Sequence, residues 1–252
     1  YTDLENIDNR NYGTRSIARA FEVSSNTGFV GLEMAVGMDK VAEVAQRMGI
    51  TSPLSITPSM TLGSNNVTML DMASAYAVIA NEGVRNDPNP ILTITKANGE
   101  VLVDNTAEEG SELRRTSSEQ VISPEVAHAA IEVMKTVVTG AEGTGADARL
   151  ANGQTVAAKT GTSESYLDIT FCGITPQLST SIWFGDPGNQ VTLPNHESAG
   201  DVFSSFMNQA LTLSPLEEFA DAGDPPYQDY SNADYLIGGY SCSRGGGHSG
   251  SN

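Results

Sequence analysis

The spacing of apolar residues changes once along this chain, and that change constrains the fold more than any other feature. Up to about residue 140 the apolar residues recur at helical spacing, whereas from about residue 155 they form short runs that are typical of strands. Helical segments followed by strand segments predict an α+β fold, in which helices cover an antiparallel β-sheet. The main strands are predicted at 155–158, 169–174 and 180–184. A larger sheet would need strands from outside this chain.

Helix ends and one hairpin carry the clearest local signals. Ser123 followed by Pro124 is typical of a helix N-terminus. Thr68, with Asp71 three residues later, resembles a capping box. Asn98-Gly99 between two short apolar runs predicts a hairpin of strands 91–95 and 101–104, followed by a polar loop at 105–118. The predicted helices span 15–23, 28–48, 68–80, 123–140 and 199–213.

Composition argues against several kinds of partner and several kinds of site. The net charge of −18 disfavours nucleic acid and anionic lipid as partners, and no apolar run reaches the length of a membrane span. Cys172 lies in an apolar run and Cys242 in a Gly/Ser-rich segment, so no bridge between them is expected. His128, His196 and His248 share no ligand spacing, and we therefore expect no metal site.

The chain is expected to divide into one folded part and one tail. Residues 1–213 contain all the predicted helices and strands. Residues 214–252 are acidic and then rich in Tyr, Gly and Ser, with too few apolar side chains to offset the entropy lost on ordering. We therefore expect 214–252 to be a disordered tail.

The first candidate motif is Lys159-Thr160-Gly161-Thr162, at the end of a predicted strand. Lys159 brings a positive charge, the two threonines bring hydroxyl donors, and Gly161 lets a ligand approach the backbone. A strand edge also offers N–H and C=O groups to an extended peptide. The motif therefore suits a peptide that carries a carboxylate, although a strand that simply ends in a turn would have similar residues.

The second candidate motif is Ser24-Ser25-Asn26, between two predicted helices. Ser24 could relay a proton, and Asn26 could bind an amide group through both its donor and its acceptor. Serine and asparagine are also the residues that helix N-termini prefer, so the motif taken alone favours capping.

Taken together and in this order, the two motifs resemble the second and third motifs of penicillin-binding proteins and serine β-lactamases. The resemblance extends over about residues 12–211 and is to the class A, bifunctional penicillin-binding proteins. It rests on blocks at 18–27, 62–64, 67–76, 80–83, 137–140, 143–145, 171–177 and 182–185.

The resemblance implies a transpeptidase fold of the penicillin-binding/β-lactamase type and a D,D-transpeptidase that cross-links peptidoglycan by a serine acyl-enzyme mechanism. Its partners would be stem peptides ending in D-Ala-D-Ala and β-lactam antibiotics, at the outer face of the bacterial cytoplasmic membrane, with no cofactor. Ser24 and Lys159 would be catalytic, with Ser24 in a proton relay. Asn26 would orient the substrate amide, Thr160, Gly161 and Thr162 would bind substrate with Lys159, and the Thr162 N–H would stabilise an oxyanion.

One departure from the family concerns the nucleophile, which belongs to a Ser-x-x-Lys motif upstream of Ser-x-Asn. No serine in the 252 residues has lysine three positions on. The domain is therefore expected to be N-terminally incomplete, to need the upstream part of the same protein, and to be inactive alone. Helices at 28–48, 68–80 and 123–139 would then present apolar faces to a vacancy. A D,D-carboxypeptidase, a β-lactamase-like hydrolase and a non-catalytic binding fragment remain alternatives.

Overall fold

The computed structural model describes residues 4–163, 166–188, 190–193 and 198–226. The helices are α1 (Ile17–Glu22), α2 (Asn26–Val36), α3 (Met38–Arg47), α4 (Met69–Ala80), α5 (Pro124–Thr139) and α6 (Ala199–Ala210). The strands are β1 (Val84–Asn86), β2 (Thr93–Thr95), β3 (Val101–Asp104), β4 (Ser118–Gln120), β5 (Ala157–Thr162), β6 (Asp168–Ile174) and β7 (Ser179–Gly185).

The central sheet is antiparallel, in the order β5-β6-β7. Lys159 lies opposite Cys172, and Phe171 lies opposite Ile182. Because β5 pairs with β6 as far as Thr162, the Lys-Thr-Gly-Thr motif lies inside the strand, and the predicted strand at 155–158 began and ended too early. Helices and an antiparallel sheet together confirm the predicted α+β fold.

Each face of the central sheet is covered by helices. On one face Phe171 packs against Phe203 of α6, with ring centroids 4.9 Å apart. On the other face Ala157 and Ile174 pack against Met134 of α5, and α4 joins this cluster. Since neighbouring strand residues point to opposite faces, Lys159 shares the face that α5 and α4 cover.

The predicted helix N-termini are confirmed by their caps. The Ser123 hydroxyl accepts from the Val126 N–H, and the Thr68 hydroxyl accepts from the Asp71 N–H. The Asp71 carboxylate does not complete a capping box, because it accepts instead from the N–H and hydroxyl groups of residues 51 and 52.

Two further parts of the predicted secondary structure were wrong. The predicted helix at 28–48 is two helices, because Gly37 adopts a φ of 102° between α2 and α3. The predicted loop at 105–118 leads into β4, which pairs with β1 over three residues each. Strands this short, joined by more than thirty residues, leave no readable alternation in the sequence. The hairpin β2–β3 is as predicted, with a register shift at Ile94 and Thr95.

Residues 217–220, in the expected tail, pack against the rest of the fold. Phe219 is buried beside α5, and the Gln154 side-chain amide donates to the Glu217 carbonyl over 2.7 Å. A ring nitrogen of His128 lies 3.2 Å from the Ala220 carbonyl. Part of the expected tail is therefore ordered, because Phe219 fills a site on α5 that sequence alone does not reveal. Residues 227–252, with Cys242 and His248, and residues 194–197, with His196, lie outside the described residues.

The helices that were expected to present apolar faces keep some apolar side chains accessible to solvent. Val36 is 45% exposed. Val44, Met72, Tyr76 and Val133 are only partly buried. In the described part of the chain, no helix has the length and apolar character required to cross a membrane.

Candidate active site

The two sequence motifs meet at one open groove of about 890 Å³. Residues 4–12, the turn that carries Ser24, the end of β5 and the start of α6 form its walls. The Lys159 ammonium donates to the Ser24 hydroxyl over 2.7 Å, although 135 positions separate these residues. The structure therefore places the positive charge of one motif in direct contact with the hydroxyl of the other.

Lys159 lies on β5 with its ammonium in a largely apolar setting. It also donates to the Thr160 carbonyl over 2.8 Å, and it lies 5.7 Å from the centre of the Phe21 ring. Burial lowers the pKa of Lys159 from 10.5 to about 8, while the neighbouring Cys172 acts in the opposite direction. At neutral pH the side chain is therefore mostly cationic, and it can attract a carboxylate or exchange a proton.

Ser24 is held in an unusual backbone conformation. Its φ is 56°, in the left-handed region, which costs a serine roughly 1 kcal/mol or more. Its N–H donates to the Phe21 carbonyl, and the N–H of Ser25 donates to the Ala20 carbonyl. Ser25 then caps α2 by accepting from the Gly28 N–H. The capping alternative is therefore correct for Ser25, which leaves the Ser24 hydroxyl available to Lys159.

Asn26 opens α2 and faces the same groove, where its side-chain amide donates to the Glu5 carbonyl over 2.9 Å. The same turn is organised by Asn6, which is 8% exposed. The Asn6 side-chain oxygen accepts from the Ser25 hydroxyl and from the Thr27 N–H, each over 3.2 Å. Sequence reasoning missed Asn6, because nothing local distinguishes it from the other polar residues of the first segment.

The remaining motif residues form the other wall of the groove. The hydroxyl groups of Thr160 and Thr144 are 2.6 Å apart. A Cβ at Gly161 would lie 2.2 Å from the Thr170 hydroxyl on β6, so a larger residue at this position would clash with that side chain. Thr162 is exposed at the end of β5. Within the described residues β5 hydrogen-bonds only to β6, so its other edge can accept an extended peptide.

Comparison with known proteins agrees with this arrangement. Residues 1–208 match the penicillin binding protein transpeptidase domain. Penicillin-binding protein 1A of Aquifex aeolicus is 30% identical over 225 residues, which are 85% of this chain and 28% of that protein. Penicillin-binding protein 1A of Clostridium acetobutylicum is 29% identical over 94% of this chain and 29% of its own length. The chain thus spans less than a third of these relatives.

Solved structures show the same fold. The PonA1 protein of Mycobacterium tuberculosis, solved in complex with penicillin V, superposes with a TM-score of 0.74 at 27% identity, over 86% of this chain and 62% of that one. Penicillin-binding protein 1A of Haemophilus influenzae superposes with a TM-score of 0.72 at 22% identity, over 86% and 37% of the two chains, and is similar in fold. The chain belongs to the family of penicillin binding protein transpeptidase domains.

Proposed function

We propose that this chain forms the substrate-binding wall of a D,D-transpeptidase that cross-links peptidoglycan stem peptides. The observation that carries the proposal is the 2.7 Å contact between Lys159 and Ser24, beside the edge of β5 that pairs with no strand in the described part of the chain. A hydroxyl and a strand edge that line the groove, with a cation in contact with the hydroxyl, suit a peptide that ends in a carboxylate. Since peptidoglycan lies outside the cytoplasmic membrane, the reaction takes place at the outer face of that membrane, and the membrane anchor lies elsewhere in the protein.

Each motif residue has a role in this proposal. The end of the stem peptide, D-Ala-D-Ala, lies along β5, where Lys159, Thr160 and Thr162 bind the terminal carboxylate. Gly161 keeps the strand surface open for the peptide backbone. Asn26 exchanges its contact with the Glu5 carbonyl for the substrate amide. The same wall accepts a β-lactam, whose carboxylate takes the position of the peptide carboxylate.

The chemical step requires a nucleophile, which we place outside the 252 residues because none of their serines has lysine three positions on. That serine gives its proton to the relay that contains Ser24, its oxygen bonds to the penultimate D-Ala carbonyl carbon, and the Thr162 N–H stabilises the resulting oxyanion. The C–N bond to the last D-Ala breaks, and Ser24 passes a proton to the departing amine. An amine of a neighbouring stem peptide then bonds to the acyl carbon, the C–O bond to the serine breaks, and the proton lost by the amine passes through the same relay to the serine oxygen. The acyl group is thus transferred without hydrolysis.

A labelling experiment with a fluorescent penicillin tests the proposal. The 252-residue chain is compared with the longer natural protein that contains it, and denaturing gels report covalent labelling. We expect labelling of the longer protein only, with a loss of roughly a hundredfold in rate in its Lys159→Ala variant. Label on the 252-residue chain that survives denaturation would refute the placement of the nucleophile.

Product analysis separates transfer from hydrolysis. Stem peptides supplied with an acceptor amine should become cross-linked by the longer protein. Release of D-Ala without cross-linking would identify a D,D-carboxypeptidase instead, and turnover of penicillin to its hydrolysed form would identify a β-lactamase-like hydrolase. A protein that neither becomes labelled nor releases D-Ala would be a non-catalytic binding module.

A further inference from the structure

A buried carboxylate lies immediately before the Ser24 turn. Glu22 is the last residue of α1 and is only 1% exposed. A carboxylate removed from water requires strong partners, because an unpaired buried charge is costly. Glu22 has two, since it accepts from the Arg19 guanidinium over 2.5 Å and from the Glu142 N–H over 3.0 Å. The second partner is 120 positions away in the chain.

The structure accommodates this carboxylate at the end of α5. A Cβ at Gly140 would lie 2.2 Å from the nearer Glu22 carboxylate oxygen, so the glycine makes room for it. A second contact lies nearby. The Arg15 guanidinium donates two hydrogen bonds to the Glu142 carboxylate, of 2.7 and 3.1 Å. The turn at 140–145 is therefore joined to α1 through Glu22, and to the residues just before α1 through Arg15.

The turn at 140–145 also contacts the other motif. Its Thr144 hydroxyl lies 2.6 Å from the Thr160 hydroxyl. The N–H of Gly145 donates to the Val137 carbonyl over 2.9 Å, which holds the end of the turn against α5. One short turn thus touches Glu22, two residues before Ser24, and Thr160, next to Lys159. A displacement at either contact changes the distance between the two motifs.

We propose that Glu22 is a positioning residue, which holds Ser24 within hydrogen-bond distance of Lys159 by anchoring α1 to the turn at 140–145. Glu22 does not touch the groove itself. Its effect on catalysis rests on the function proposed above, whereas its effect on the surroundings of Lys159 can be measured without any activity.

Removal of the carboxylate should admit water to Lys159. In a Glu22→Ala variant the Ser24 turn loses its anchor, the Lys159 ammonium becomes better hydrated, and its pKa rises from about 8 toward 10.5. The measurement is competitive acetylation of the longer natural protein by acetic anhydride over a range of pH, with the Lys159 peptide quantified by mass spectrometry. We expect the midpoint of Lys159 acetylation to move up by roughly one pH unit or more. Acylation by fluorescent penicillin should slow roughly tenfold or more.

Two variants serve as controls. Glu22→Gln has the same shape and keeps an acceptor for the Glu142 N–H, so both effects should be in the same direction but smaller. Glu33→Gln changes another helical glutamate that is only 2% exposed, which accepts from the Thr61 N–H over 3.3 Å. It should leave the Lys159 midpoint unchanged.

The measured midpoint of Lys159 acetylation decides whether Glu22 has this positioning role. An unchanged Lys159 midpoint in folded Glu22→Ala, or an equal shift in Glu33→Gln, overturns the proposal. If Glu22→Ala does not fold, Glu22→Gln decides, and an unchanged midpoint in that variant overturns it. If the wild type is never labelled by penicillin while the Glu22 variants still shift the midpoint, the proposed function fails and the positioning role stands.

Discussion

Replacement of Lys159 by methionine should stabilise the fold while abolishing substrate binding. The pKa of this lysine falls from 10.5 to about 8 on burial, which corresponds to about 3 kcal/mol against the protonated form. The side chain is partly exposed, so solvent screening reduces this to roughly 2 kcal/mol. Loss of the bonds to Ser24 and to the Thr160 carbonyl costs roughly 1 kcal/mol. We expect Lys159→Met to gain roughly 1 kcal/mol at pH 7.

The pH dependence of this gain has a definite sign. Because the folded pKa of Lys159 lies below the unfolded pKa, the unfolded wild type binds more protons between about pH 8 and pH 10.5. The stability contributed by this group therefore rises with pH across that window. Methionine does not titrate, so the advantage of Lys159→Met over the wild type should shrink from pH 7 to pH 10.5.

Urea unfolding of the 252-residue chain measures both effects. Trp183 is the single tryptophan and lies on β7, so its fluorescence follows loss of the central sheet. Lys96→Met is the matched control, because Lys96 is exposed and paired with Glu100, and its removal should change stability by less than about 1 kcal/mol. A Lys159→Met chain that is less stable than the wild type at pH 7, or a difference that does not vary with pH, would contradict the expected desolvation of Lys159.

Substitutions of Asp71, Phe203 and Gly161 test two buried contacts and one wall of the groove. Asp71→Ala leaves the four N–H and hydroxyl donors of residues 51–52 without their acceptor. It should lower the free energy of unfolding, measured in urea, by roughly 2–4 kcal/mol. Asp71→Asn keeps an acceptor and should lower it less. Phe203→Ala removes a fully buried ring that packs against the sheet and should lower the free energy of unfolding by about 3–5 kcal/mol in the same measurement. Phe203→Leu should lower it less. Gly161→Ala places a Cβ 2.2 Å from the Thr170 hydroxyl and should slow penicillin labelling of the longer protein. The added substitution Thr170→Ala leaves the nearest atom at 3.6 Å and should restore the labelling rate. If the rate is not restored, this clash is not the cause of the slower labelling.

The sequence by itself determined the features that depend on neighbouring residues. Ser123 and Thr68 begin helices because a hydroxyl at the N-cap accepts from an N–H only three positions away, and Pro124 fits the first helical position because its own N–H is absent. Asn98-Gly99 forms the hairpin turn because it tolerates a positive φ, which is 89° at Gly99. The ordered motif blocks also identified the family, since they record a shared ancestry that needs no coordinates.

Local signals were not sufficient where two local structures have similar free energies. Gly37 was expected inside a long helix, because a glycine there costs only about 1 kcal/mol, and the tertiary structure instead uses it to divide α2 from α3. The polar composition around Phe219 predicts a disordered tail, yet Phe219 is buried beside α5. In both cases packing supplies a free energy that is not visible in the local sequence.

Only the tertiary structure decided how the site is assembled. The Ser24 hydroxyl and the Lys159 ammonium are 2.7 Å apart because α1 is anchored to the turn after α5, and that turn to β5. The lowered pKa of Lys159 has the same origin, since desolvation depends on everything that surrounds a charge in space. Glu22 and Asn6 carry no local signal of their roles, because each acts through partners far along the chain. Residue types fixed the chemistry available to this protein, and long-range packing fixed the distances at which that chemistry can operate.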